Sequence, residues 1–91
     1  MSSAVRHNPA LHRFELDIGG HTAIAVYRLA DGVMTFTHTE VPPQLRERGI
    51  GSQVVRGALE QARAMGVKVA ARCPFVGQYI ARHPEFLDLL A

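Results

Sequence analysis

The chain predicts an α/β (α+β) domain: a mixed, mostly antiparallel sheet with one βαβ crossover and a C-terminal helix. Three observations carry that expectation. The first forty residues hold runs of alternating polar and apolar residues divided by tight-turn signals, the pattern of an antiparallel meander. From Gly49 the apolar spacing becomes that of a helix, and after Gly66 it returns to that of a strand. A proline-led apolar stretch then closes the chain.

Residues 1–10 read as a flexible N-terminal arm ending at the Asn8-Pro9 break, and residues 11–91 as one domain. Arg13-Phe14-Glu15-Leu16-Asp17-Ile18 alternates as a half-buried strand does, and Gly19-Gly20 is a two-residue hairpin signal. Thr22 to Leu29, rich in Ala, Ile, Val and Tyr, gives a second strand closed by Ala30-Asp31-Gly32. Val33 to Thr39 gives a third, with Met34, Phe36 and His38 expected on one face. Pro42-Pro43 ends the meander, because neither proline can donate to a ladder. Ile50, Val54, Val55, Ala58, Leu59, Ala62 and Met65 then fall at helical spacing, and Gly66 suits the stop. Val67 to Cys73 reads as a strand parallel to the third, joined to it by a right-handed crossover. Pro74 suits the first position of a last helix, with Phe75, Val76, Tyr79 and Ile80 on its buried side and His83-Pro84 as its end.

Ninety-one residues form one small domain able to fold without staples. The hydrophobic share of 47% against 20% charged residues places the chain among folded globular proteins rather than disordered ones. A net charge of +2 with interleaved acids argues against a nucleic-acid surface. No apolar stretch approaches the roughly 20 residues that span a bilayer, and Met1 to Arg6 lacks a signal-peptide core. One cysteine with scattered histidines supplies no zinc-site spacing and suits a reducing, cytoplasmic setting.

The stretch Val41 to Ser52 carries the functional signal. Two arginines, Arg46 and Arg48, precede Gly49-Ile50-Gly51 where a helix must begin. Exposed backbone N–H groups, the positive end of a helix and flanking cations suit a diphosphate. A P-loop needs Lys-Ser/Thr after its last glycine, and here Ser52-Gln53 follow. A dinucleotide fingerprint needs a third glycine where Val54 stands. What remains is the Arg/Gln-x-x-Gly-x-Gly/Ala loop that grips coenzyme A, or a glycine-rich helix entry with no ligand.

The order of strands, Arg46-x-x-Gly49-x-Gly51 loop, helix, strand and helix resembles the second half of the GNAT N-acetyltransferase superfamily. It is similar in more detail to a small single-domain GNAT-like group, through His38-Thr39-Glu40-Val41-Pro42, Cys73-Pro74-Phe75-Val76 and Tyr79-Ile80-Ala81-Arg82-His83-Pro84-Glu85-Phe86. Arg13-Phe14-Glu15 fits the same group. The resemblance implies acetyl-CoA or coenzyme A as co-substrate, with no metal, and N-acetyl transfer to a primary amine such as a protein or peptide lysine. It also implies a splay between the third strand and the strand ending at Cys73, where the cofactor lies. The backbone near Glu40 and Val41 would meet the pantetheine arm. Arg46, Arg48, Gly49, Ile50, Gly51 and Ser52 would meet the diphosphate, with Phe75 also against the cofactor.

Cys73 and Glu40 are the candidate catalytic groups. Cys73, placed before Pro74, suits a helix N-cap that lowers its pKa; it reads as a nucleophile, a neighbour of the cofactor thiol, or a small buried apolar residue. Glu40, at a strand-to-loop junction, reads as a general base or a solvated carboxylate. His38 shares its expected face with Met34 and Phe36 and so reads first as a core histidine. His83 reads as a helix cap or a cofactor contact. Two departures weaken catalysis relative to binding: Ile80 stands where many such enzymes carry a tyrosine, and only Gly19-Gly20 joins the first two strands where a helical segment usually helps form the acceptor pocket. A non-catalytic acyl-CoA binding module is therefore the alternative. A free sheet edge allows a monomer or a weak homodimer.

Overall fold

The computed structural model describes residues 4–91, Glu47 by its backbone alone. Five strands form one sheet in chain order: β1 (Arg6–Asn8), β2 (Arg13–Ile18), β3 (His21–Ala30), β4 (Val33–Glu40) and β5 (Lys68–Ala71). The first four pair antiparallel, and β4 pairs parallel with β5 across the helix α1 (Ile50–Met65). A second helix, α2 (Pro74–Arg82), follows β5, and a 3-10 segment (Pro84–Leu89) ends the fold. This is the mixed, mostly antiparallel sheet with a crossover and C-terminal helix that the apolar periodicities predict. No helix is long and apolar enough to cross a membrane.

Both hairpins turn on residues with positive φ. Gly19 and Gly20 stand at +57° and +81°, and Asp31 and Gly32 at +54° and +75°, values that match strand twist in two-residue loops. One face of the sheet carries Phe14, Leu16, Ala23, Ala25, Tyr27, Met34, Phe36 and Val69, all buried. Against it pack Val54, Val55, Ala58, Leu59 and Ala62 of α1, with Val76 and Ile80 of α2. At roughly 25 cal/mol per Å² of apolar area removed from water, this interleaved layer is the main stabilising term.

The opposite face has no helix over it among the described residues. It carries Ile24 and Val26, half-buried, and a charged patch in which Glu15 lies under Arg6, Arg13 and Asn8. Arginine side chains, not a core layer, cover that carboxylate. Arg6 also pairs with Asp17.

Two sequence expectations are corrected here. Residues 6–8 do not belong to a loose arm: they pair with Arg13–Glu15 as β1, Val5 is buried, and Gln61 of α1 donates to the Val5 carbonyl at 2.7 Å. His7 stacks on Phe14 at 4.5 Å and meets the Tyr27 hydroxyl at 2.6 Å. His38, in turn, is not a core histidine. The β3–β4 register shifts between Val26 and Tyr27, so β4 carries one extra residue at Thr37. A one-residue slip reverses the faces of everything beyond it. Thr39 therefore takes the inward place, and His38 is exposed on the open face.

Candidate active site

Pairing between β4 and β5 stops at Phe36 and Ala71. The Phe36 carbonyl accepts from the amides of both Arg72 and Cys73, at 2.9 and 3.0 Å, which pins the point of divergence. Beyond it β4 runs on to Glu40 without a partner on that side, while the other chain turns into α2. The result is a V-shaped opening whose base is Phe36 and whose arms are Thr37–Glu40 and Cys73 with the start of α2.

Cys73 is buried and occupies the N-cap of α2, with extended backbone (φ −81°, ψ 122°) and Pro74 at the first helical position. Its sulfur lies 3.4 Å from the Thr39 hydroxyl, across the opening. Burial pushes the thiol pKa up, but the Thr39 hydroxyl and the amides of Val76, Phe75 and Thr39 outweigh it, and the thiol sits below its ordinary value. The helix amides act as dipoles aimed at the sulfur, although neither closes a capping hydrogen bond. Thr39 is the residue that sequence reasoning quoted without giving it a role. Only the bulge, which turns it inward, brings it to Cys73.

Glu40 reaches the opening from the other side. Register places Thr39 on the helix-covered face and Glu40, paired with Ile24, on the open one. Its carboxylate is exposed and lies 3.5 Å from His38 Nε2. Cys73 and Glu40 are thus not neighbours; they flank one opening from opposite faces of the sheet.

The glycine loop closes the far end. After Pro42 a 3-10 turn (Pro43–Arg48) is anchored by buried Leu45, and Arg46 Nε donates to the Val41 carbonyl at 3.1 Å. Gly49 ends this turn and begins α1 with φ +70°, a left-handed conformation that penalises any residue with a Cβ. Nothing lies within 4 Å of where a Gly49 Cβ would stand. Among the described residues no side chain caps α1 and no acid sits in its first turn, so the amides of Ile50, Gly51 and Ser52 are open to a ligand at the positive end of a 16-residue helix. Gly51 has a different reason to be glycine. A Cβ there would stand 2.8 Å from the Phe75 ring and 3.3 Å from Val41, so its absence lets β4's end and α2 close over the helix start. Arg48 is exposed and makes no ion pair with a described side chain.

Of the sequence-predicted residues, Val41, Gly51 and Phe75 come into direct apposition, while Arg46, Arg48, Gly49, Ile50 and Ser52 surround the same helix end. A groove leads away from it, lined by Ser52, Phe75, Gln78, Tyr79, Arg82 and His83. Sequence reasoning missed most of it, although positions 75, 78, 79 and 82 share one helical face. The Tyr79 hydroxyl accepts from Arg56 Nη1 at 3.1 Å, and the Tyr79 ring stacks on His83 at 3.9 Å. Ile80 is buried in the core.

The sheet splays beside a βαβ crossover, and uncapped helix amides stand at the splay's outer end. A family model described as GCN5-related N-acetyl-transferase matches residues 13–89, and the chain belongs to that family. Among solved structures it is similar to a GCN5-like protein from Staphylococcus aureus determined by NMR, with a TM-score of 0.73. Identity is 23%, and the match covers 100% of this chain and 91% of that one, a likeness of fold. No curated protein matches the chain.

Proposed function

We propose that the protein binds acetyl-CoA and transfers its acetyl group to a primary amine, in a protein or peptide lysine. The observation that carries this reading is the pairing of the V-shaped opening with the uncapped first turn of α1. The opening offers backbone groups of β4 to an extended pantetheine arm. The amides of Ile50, Gly51 and Ser52, with Arg46 and Arg48 beside them, offer hydrogen bonds and positive potential to a diphosphate. The empty space at Gly49 and the contact-limited Gly51 suit a backbone that a ligand approaches closely.

The chemistry divides between the two faces of the sheet. With the thioester in the opening, an amine enters from the open face, where Glu40 takes the proton that the ammonium must lose, directly or through water. The amine nitrogen bonds to the carbonyl carbon, a β4 amide stabilises the developing oxyanion, and the C–S bond breaks to release the coenzyme A thiolate. Cys73 supplies a second route. Its thiolate attacks the same carbon, the coenzyme thiolate leaves, and the acetyl group passes from sulfur to the amine. The lowered thiol pKa and the Thr39 contact favour this route. The open face suits a bulky acceptor, the single cysteine suits a cytoplasmic protein, and a free sheet edge suits a monomer or weak homodimer.

One observation favours a second reading, a non-catalytic acyl-CoA binding module. At the position where such enzymes carry a tyrosine that protonates the leaving thiolate, α2 has Ile80, which is buried, and the Tyr79 hydroxyl beside it is turned toward Arg56. Ser52→Glu tests the cofactor site that both readings share. A carboxylate at the third helical position stabilises a helix N-terminus but repels phosphate. The expected result is an unchanged or raised Tm with at least a roughly tenfold loss of acetyl-CoA affinity by calorimetry. Unchanged affinity would remove the assignment. Mass spectrometry of the wild type with acetyl-CoA and a lysine-peptide library then separates transfer from binding alone.

A further inference from the structure

We infer that the open face of the sheet receives an extended acceptor peptide, with Arg28 as the residue that selects for an acidic side chain about four residues from the acetylated lysine. This rests on the acetyl-transfer reading above and names the class of acceptor. On that face β3 presents Ile24, Val26 and Arg28, because Ala23, Ala25 and Tyr27 alternate with them into the core. Across from Ile24 stands Glu40, and across from Val26 stands His38, both on β4. The β2 side of the same face has its charges already matched: Glu15 lies under Arg6 and Arg13, and Asp17 meets Arg6 and Thr22. Toward β3 and β4 an acid and a cation are left for a partner. The Glu40 side chain is 66% exposed, with His38 Nε2 at 3.5 Å. The exposed Arg28 side chain has no ion pair or hydrogen bond with a described residue.

Spacing and chemistry along β3 fit a peptide. Ile24 and Arg28 are four residues apart, about 13 Å in a strand that rises about 3.3 Å per residue. An extended peptide repeats its side chains at the same interval, so alternate side chains match alternate positions. A lysine lays its methylene stem over Ile24 and brings its ammonium to Glu40, at the edge of the opening where the thioester is placed. An apolar side chain two residues away covers Val26, which is half-buried with no helix above it among the described residues. A carboxylate four residues away meets the Arg28 guanidinium, whose fork pairs with both of its oxygens. Acid, apolar and cation on the protein are thus answered by cation, apolar and acid on the peptide. Small amines are held in concave pockets, whereas a sheet surface offers evenly spaced side-chain positions to a polypeptide.

The test uses end-blocked peptides carrying one lysine, a leucine two residues away and glutamate, glutamine or arginine four residues away, made in both chain directions. Acetyl transfer from acetyl-CoA is followed with the wild type, Arg28→Ala and Arg28→Glu. In at least one direction the wild-type KM is expected to be roughly three- to tenfold lower for the glutamate peptide than for the glutamine peptide, the range of one charge-assisted contact at an exposed site. The kcat values are expected to be alike, because a contact remote from the reacting carbon acts equally in ground and transition states. Arg28→Ala is expected to raise the glutamate KM to the glutamine value, and Arg28→Glu to move the preference to the arginine peptide. A purely structural role for Arg28 lowers activity on all three peptides alike and keeps their order, a result that overturns the assignment. Equal wild-type KM values in both directions overturn it while sparing acetyl transfer. If the wild type acetylates none of the peptides, the reading of peptide-lysine transfer is lost and the assignment with it.

Discussion

At Cys73 two opposed effects meet, and one of them includes a single side-chain hydroxyl. Burial raises the thiol pKa, whereas the Thr39 hydroxyl and three backbone amides lower it, and the net result lies below the ordinary value. Thr39→Val keeps shape and removes the hydroxyl, so the thiol is expected to titrate higher. The measurement is the pH dependence of Cys73 alkylation: in the variant the profile moves to higher pH, and the rate near neutrality falls several-fold. An unmoved profile means the amides alone set the thiolate. The first half of this arrangement is legible in the sequence, because Cys73-Pro74 before an apolar run is a helix-start signal. The second half is not. By simple alternation Thr39 shares a face with Val33 and Thr35, and nothing in Thr37-His38-Thr39 marks the extra residue that turns it toward the sulfur.

At the scale of elements, the same bulge explains why Glu40 and Cys73 approach one opening from opposite faces. Regular pairing would have buried His38 beside Phe36 and turned Thr39 outward. The hairpins, α1 and its Gly66 stop were legible because each rests on local chemistry: glycines at positive φ, helical apolar spacing and a left-handed cap whose amide reaches the Ala62 and Arg63 carbonyls. β1 was not, because three residues carry no period and its support is tertiary. It is held by Gln61, by pairing with β2, and by His7 between Phe14 and the Tyr27 hydroxyl. That support has a pH dependence. Burial lowers the His7 pKa, so the docked strand prefers neutral imidazole while the released strand takes up a proton near pH 6.5. The docking contribution is complete above that value and declines as pH falls toward the lowered one. Glu15, held below the carboxylate range chiefly by Arg13, stays ionised throughout, so the arginine network does not share the change. Hydrogen exchange at Arg6–Asn8 is expected to lose protection, relative to β3, between about pH 7.5 and about pH 5.5. His7→Phe is expected to remove that difference, and a wild type with no difference would sink the explanation.

Across the whole molecule, some cations are matched to acids and others are not. Glu15 and Asp17 are matched to Arg6 and Arg13 on the open sheet face, and Arg56 and Arg63 to Glu60, Glu85 and Asp88 along the back of the helices. Among the described side chains, Arg48 and Arg82 have no ion pair and Arg46 bonds to the Val41 carbonyl; they stand around the start of α1 and the groove that leads from it. A net charge of +2 conceals this, since composition gives a sum while the fold gives the distribution. On the proposed cofactor reading, phosphate groups would be met by cations that no described carboxylate neutralises. Raising ionic strength from about 0.1 M to about 1 M shortens the screening length from about 10 Å to about 3 Å. Coenzyme A affinity, followed by calorimetry, is expected to fall by roughly tenfold over that range, a loss in keeping with a few screened surface contacts. Arg48→Ala should start weaker and fall less steeply, because part of what salt screens is already absent. Pantetheine, which lacks the phosphates, should bind weakly but without the slope. A flat profile for coenzyme A itself would mean that the helix amides, which are fixed in place and close to the ligand, hold the diphosphate without the arginines.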